Sequence, residues 1–211
     1  MSLMSGPISN DPPAVQVRRR PVQERSTDTV NHILSSASAL LTKVPLEEIT
    51  TSRIAAEAGI SIGGLYRFFP DKQTILDAIA VRHMDDFRSS LVGAVAKSVL
   101  SDGPGFLNRV IDAYIAYLDA HPDFRTLALG RHISAVTRQV QAGPDAGPAS
   151  LVKWFIMWRL GVKEPALLDL KLRIAIEAGE RLIGYAYEQP TEVERAAVLT
   201  ELKALLAAYL F

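Results

Sequence analysis

Hydroxyls, one phenol and several cations crowd a short stretch of this chain. Thr50, Thr51, Ser52 and Arg53 stand together, Ser61 follows, and Tyr66, Arg67 and Lys72 complete the group. Groups of this kind donate hydrogen bonds and carry positive charge, so they suit phosphate oxygens and the edges of bases. They are not the parts of a catalyst. The chain has no cysteine, and its histidines (His32, His83, His121 and His132) form no ligand-spaced pair. No Gly-x-Ser-x-Gly elbow or phosphate loop is present. The chemistry expected is binding, with no catalytic residue, no metal and no cofactor.

Two short helices with a tight turn between them would position these groups. Thr50 is placed as an N-cap, its hydroxyl accepting from an orphaned backbone N–H. Ile49 and Ile54 are spaced as a hydrophobic staple across that cap. Ile54, Ala55 and Ala58 make one apolar side, and Gly59 sits where a helix end takes a left-handed residue. Ile60 plugs the corner and Ser61 caps the second helix, whose buried side is Leu65 and Phe69. Pro70 ends it. Helix, glycine turn, helix is the pattern of a helix-turn-helix, whose second helix enters the major groove. Ser61, Ile62, Gly63 and Gly64 then reach base edges, with Ile62 suited to a thymine methyl and Arg67 to a guanine. The two glycines weaken the helix by about 1 kcal/mol each relative to alanine but leave room for close approach to DNA. Thr50, Thr51, Ser52, Arg53, Tyr66 and Lys72 ring this helix as phosphate contacts. Lys72 opens the next helix at its positive end, where a phosphate beside it explains a cation.

The run Ile-Ala-Ala-Glu-Ala-Gly-Ile-Ser-Ile-Gly-Gly-Leu-Tyr-Arg-Phe-Phe-Pro-Asp-Lys, Ile54 to Lys72, resembles the DNA-binding signature of the tetracycline-repressor (TetR) family. The Ala-Gly turn, the Leu-Tyr pair, the aromatic before proline and the following lysine match together, and the likeness is close from about Thr27 to Leu76. Arg53 and Phe68 depart from it, since the family often has an acid or small polar residue and a histidine there. The resemblance implies a ligand-responsive transcriptional regulator, most simply a repressor released from a palindromic operator by a small molecule. It supports Tyr66 and Lys72 in particular as phosphate contacts, and it implies that the rest of the chain binds an effector and dimerises. A helical small-molecule-binding or interaction protein without sequence-specific DNA binding is the alternative.

Apolar residues recur at helical spacing with no sustained alternation, so the expected fold is all-α. Residues 1–25 read as a flexible basic arm, with Arg18, Arg19, Arg20 and Arg25. Residues 26–72 read as a three-helix DNA-binding domain, and residues 73–211 as an effector-binding and dimerisation domain. Within the latter, helices are expected from about Asp71 to residue 100, from Phe106 to His121 and from Asp123 to Gln141. Three more are expected over Leu151–Leu160, Pro165–Glu188 and Thr191–Leu210, with a loop at 142–148. His83 reads as a satisfied core histidine. Tyr114, Tyr117, His121, Phe124, Trp154, Met157 and Trp158 are the aromatic or soft residues suited to an effector cavity.

Apolar and small residues occupy more than one side of the penultimate helix, which asks for a second cover. Ala175, Gly179, Leu182, Ile183 and Ala186, with Leu202 and Leu206 of the last helix, are therefore the expected homodimer interface. Lys plus Arg and Asp plus Glu both number 23, so net charge is zero, which argues against a non-specific coat on nucleic acid. No apolar run reaches the ~20 residues needed to span a bilayer. A cytoplasmic protein with double-stranded DNA, itself and an unidentified effector as partners is the resulting expectation.

Overall fold

The computed structural model describes residues 22–96, 102–141, 149–160 and 165–211. Among these there are α-helices and no strand. The order is α1 (Val22–Leu41), a 3-10 turn (Leu46–Glu48), α2 (Thr51–Glu57), α3 (Ile62–Tyr66) and α4 (Lys72–Ala96). Then come α5 (Gly103–Ala120), α6 (Pro122–Leu129), α7 (Ala135–Gln141), α8 (Ala149–Leu160), α9 (Pro165–Tyr187) and α10 (Glu192–Leu210). The basic arm up to residue 21 and the loop at 142–148 lie outside the described residues. Helix α1 begins at Val22, so residues 22–25 belong to it rather than to an arm ending at 25.

Two apolar cores share α4. Ile33, Ala37, Ile49, Ile54 and Leu65 build the first with Ile75, Leu76 and Ile79 of α4. Ala80, Phe87 and Leu91, further along the same helix, enter the second with Phe106, Leu118, Phe155, Leu172 and Leu202. One helix thus runs from the small N-terminal module into the large one. Leu127 of α6, fully buried, packs into the first core from the C-terminal side. The small module is therefore braced by α6 as well as α4, which helps a three-helix unit too small to be stable alone.

The stretch expected as one helix from Asp123 to Gln141 is two. Helix α6 stops in a turn where the Arg131 N–H donates to Ala128 and the His132 N–H to Leu127, with Arg131 at φ 57°. This paired closure satisfies the last carbonyls of α6, but with Arg131 in a left-handed position that normally selects glycine. Gly130 precedes it, so composition alone hides the break. Ser134 then caps α7, its hydroxyl accepting from the Thr137 N–H at 3.2 Å.

His83 is a satisfied core histidine: its ring nitrogens meet the Tyr117 hydroxyl at 2.9 Å and Asp123 Oδ2 at 3.0 Å.

Candidate nucleic-acid interface and ligand cavity

The caps of α2 and α3 form as their sequences require. Thr50 Oγ1 accepts from the Arg53 N–H at 3.1 Å, and Ser61 Oγ accepts from the Gly64 N–H at 3.0 Å. Ile49 and Ile54 are both fully buried across the first cap. Gly59 turns the chain at φ 61°, a conformation that a side chain would strain. Helix α3 ends at Tyr66, four residues ahead of Pro70, because Phe68 and Phe69 both donate to the Leu65 carbonyl in a closing turn. Arg67 is the C-cap rather than an interior residue.

With Leu65 buried, α3 turns Ile62, Gly63, Tyr66 and Arg67 outward. Tyr66 is 51% exposed and Ile62 40%. The Thr51 hydroxyl lies 3.1 Å from the Tyr66 hydroxyl, which ties the start of α2 to the end of α3. Ser52 and Arg53 are exposed, and Gly64 sits half-buried under the Ser61 hydroxyl. The two cations among the expected phosphate ligands already have partners. Arg53 pairs with Glu48 at 3.1 Å, and Lys72, half-buried at the head of α4, donates to the Leu46 carbonyl at 3.4 Å. Arg67 is exposed and makes no hydrogen bond or ion pair with another described residue. It is the cation of this surface that can turn to a base without breaking a contact.

A cavity of about 170 Å³ lies inside the second core, walled by α4, α5, α6, α7, α8, α9 and α10. Of the seven side chains expected to line it, Tyr114 and Phe124 do. Tyr117 and His121 do not: their rings stack at 3.9 Å and pack around His83 at the edge of the domain. Trp154, Met157 and Trp158 do not either. Helix α8 turns Val152, Phe155 and Ile156 inward, which leaves the two indoles stacked on its outer face at 51% and 58% exposure. The residues missed are Thr137, Arg138 and Glu180, the polar part of an otherwise apolar wall. Glu180 was detectable, because it lies among Ile176, Gly179 and Ile183 on a stripe that otherwise excludes charge. Burial raises the Glu180 pKa and Glu177 adds to the effect, while Arg138 and Arg131 oppose it.

The expected dimer residues are also displaced. Ala175, Gly179, Ile183, Leu202 and Leu206 wall the cavity, Ala186 is fully buried, and Leu182 is half-buried against the same core. Gly179 faces Leu206 of its own chain. Helices α9 and α10 pack against each other, and that contact covers these residues within the chain. The large apolar side chains left outward among the described residues are Leu167, Leu170, Ile174 and Tyr185 on α9, with Val193, Leu205 and Tyr209 on α10.

Residues 33–79 match the family described as "Bacterial regulatory proteins, tetR family", and residues 104–210 match "Tetracyclin repressor-like, C-terminal domain". The chain belongs to the TetR family. Solved TetR-family regulators superpose along nearly their whole length. One from Streptomyces coelicolor has a TM-score of 0.61 at 25% identity, covering 86% of this chain and 97% of its own. Another from Rhodococcus sp. RHA1 has a TM-score of 0.63 at 19% identity, covering 88% and 97%. Among curated proteins, the nucleoid occlusion factor SlmA of Mannheimia succiniciproducens is 29% identical over 102 residues, covering 47% of this chain and 42% of its own. SlmA of Haemophilus influenzae is 27% identical over 133 residues, covering 60% and 56%. The chain thus spans about half the length of these curated relatives. No described helix of this TetR-family protein is long and apolar enough to cross a membrane.

Proposed function

We propose that this protein is a DNA-binding transcriptional regulator without enzymatic activity, a repressor that leaves a palindromic operator when a small molecule enters the cavity. The observation that carries the reading is the outward face of α3. Ile62, Tyr66 and Arg67 are exposed on a helix whose other side is locked into a core. Ile62 and Arg67 read base edges, while Thr50, Thr51, Ser52 and Tyr66 hold phosphates beside them. Lys72 and Arg53 add phosphate contacts by exchanging their present acceptors for phosphate oxygens.

Palindromic recognition needs two copies. The reading places the two-fold axis on the outward faces of α9 and α10, where Leu170, Ile174 and Leu205 are apolar and exposed, so that like residues meet across it. Two α3 helices then face half-sites about one helical turn apart. Selection of bound fragments from the genome is the test. A shared inverted repeat among the recovered fragments supports the reading, and recovery of fragments without a common sequence overturns it.

A further inference from the structure

The cavity carries a mismatch between its walls and its charges. Nearly all of its lining is aliphatic or aromatic, yet Arg138 of α7 and Glu180 of α9 both contribute to it. They do not pair. Arg138 Nε is buried without an acceptor, and Glu180 makes no hydrogen bond or ion pair with a described residue. Each lies within electrostatic range of the other. Leaving a buried donor unpaired costs about 1–3 kcal/mol, and more when the group is charged. A buried donor and a carboxylate in one apolar lining are unmatched polar groups that a polar guest would satisfy. The Tyr114 hydroxyl, in the same wall, likewise has no described partner.

We propose that the cavity takes a neutral molecule about the size of one substituted ring, whose single hydroxyl donates to Glu180 and accepts from Arg138 Nε. The inference rests on the reading of this cavity as the effector site. Size follows from volume, since an apolar cavity of about 150 Å³ holds benzene. Neutrality follows from the pair of opposite charges. With Glu180 ionised, a carboxylate head gains at Arg138 what it loses at Glu180, and an ammonium does the reverse. A hydroxyl both donates and accepts, so it satisfies both side chains, and it does so whether Glu180 is ionised or protonated.

Three probes with one apolar body separate the possibilities: 4-ethylphenol, ethylbenzene and 4-ethylbenzoate, titrated calorimetrically into the full chain at pH 7. The expected order is 4-ethylphenol tightest, by about tenfold over ethylbenzene, which is what one net hydrogen bond is worth, with 4-ethylbenzoate weakest. Glu180→Leu and Arg138→Met should each erase the preference for the phenol while leaving ethylbenzene binding within about threefold. Either substitution alone suffices if the other does not fold. Equal binding of phenol and ethylbenzene, or tightest binding of the benzoate, overturns the hydroxyl assignment and leaves the cavity as a binding site. Failure of all three to bind at millimolar concentration removes the cavity reading itself.

Discussion

Asp77 Oδ2 accepts the hydroxyl of Thr137 at 2.9 Å. Thr137 stands in the cavity wall, and Asp77 lies on α4 just over one turn from Lys72, where that helix meets the DNA-binding module. The other carboxylate oxygen accepts from the Ser134 N–H at 2.9 Å and from Gln73, whose amide also reaches the His132 carbonyl. Burial alone would raise the Asp77 pKa, but these hydrogen bonds bring it below the ordinary carboxylate value. The start of α7 is thereby fastened to α4 by one ionised side chain. On the proposed function, a ligand that shifts Thr137 or Arg138 would pull on that fastening directly.

Asp77→Ala should therefore weaken the link between the two sites more than either site alone. Allosteric coupling is typically worth 1–3 kcal/mol. Loss of this clamp should bring the ratio of operator affinities, without and with ligand, about tenfold nearer to unity. The ratio is obtained from operator titrations at zero and saturating ligand. An unchanged ratio in a folded variant assigns the coupling elsewhere.

Arg67 and Lys72 should behave differently on substitution. Arg67→Ala should relax the preference at one base pair per half-site, at a cost of about 1–3 kcal/mol. Lys72→Ala should weaken all duplexes alike and flatten the salt dependence by about one unit per half-site. Because Lys72 must first leave the Leu46 carbonyl, its effect should be the smaller of the two. Competitive binding against a panel of single-substitution duplexes separates them.

Replacement of an outward residue on α9 should differ in kind from replacement of an inward one. Ile174→Asp should give a folded monomer, because Ile174 is 46% exposed within the chain. Leu206→Asp should unfold the C-terminal domain, since Leu206 is buried at the cavity and an unpaired charge there is destabilising by several kcal/mol. Sedimentation and circular dichroism distinguish the outcomes. An Ile174→Asp dimer would place the two-fold surface off this face.

Acid should loosen the junction near His83. Burial pushes the Asp123 pKa up, but the His83 hydrogen bond and charge, the Phe124 N–H and the Ser38 hydroxyl together hold it at about 2. A depressed carboxyl stabilises the fold above its unfolded pKa of about 4, and that contribution disappears as pH falls through the folded value. The loss should lie between about pH 4 and pH 2 and amount to about 2 kcal/mol. Asp123→Asn should be less stable at neutral pH and should lack this acid-dependent part of the unfolding curve in urea titrations.

Local chemistry was legible in the sequence wherever one residue type decides a conformation. The Thr50 and Ser61 caps, the Ile49–Ile54 staple and the Gly59 turn each follow from a single steric or hydrogen-bonding requirement. The break after Leu129 was not legible, because Arg131 takes a left-handed position that its side chain does not advertise. Nor was the sidedness of α8 and α9. An apolar stripe shows that a helix is covered, but not whether its own chain or a partner covers it. Gly179 and Leu206 meet inside one chain, and Trp154 and Trp158 face outward, because α8, α9 and α10 settle those faces only on packing together.

Sequence reading by the outward face of α3, as proposed, is open to direct measurement. The direct measurement is fluorescence anisotropy of the full chain with a selected duplex and a scrambled duplex of equal composition, at two salt concentrations. Binding to the selected duplex should be tighter by at least about a thousandfold, as for specific sites generally. Arg67→Ala should narrow this difference. Equal affinity for both duplexes, falling together as salt rises, would contradict sequence reading by this face.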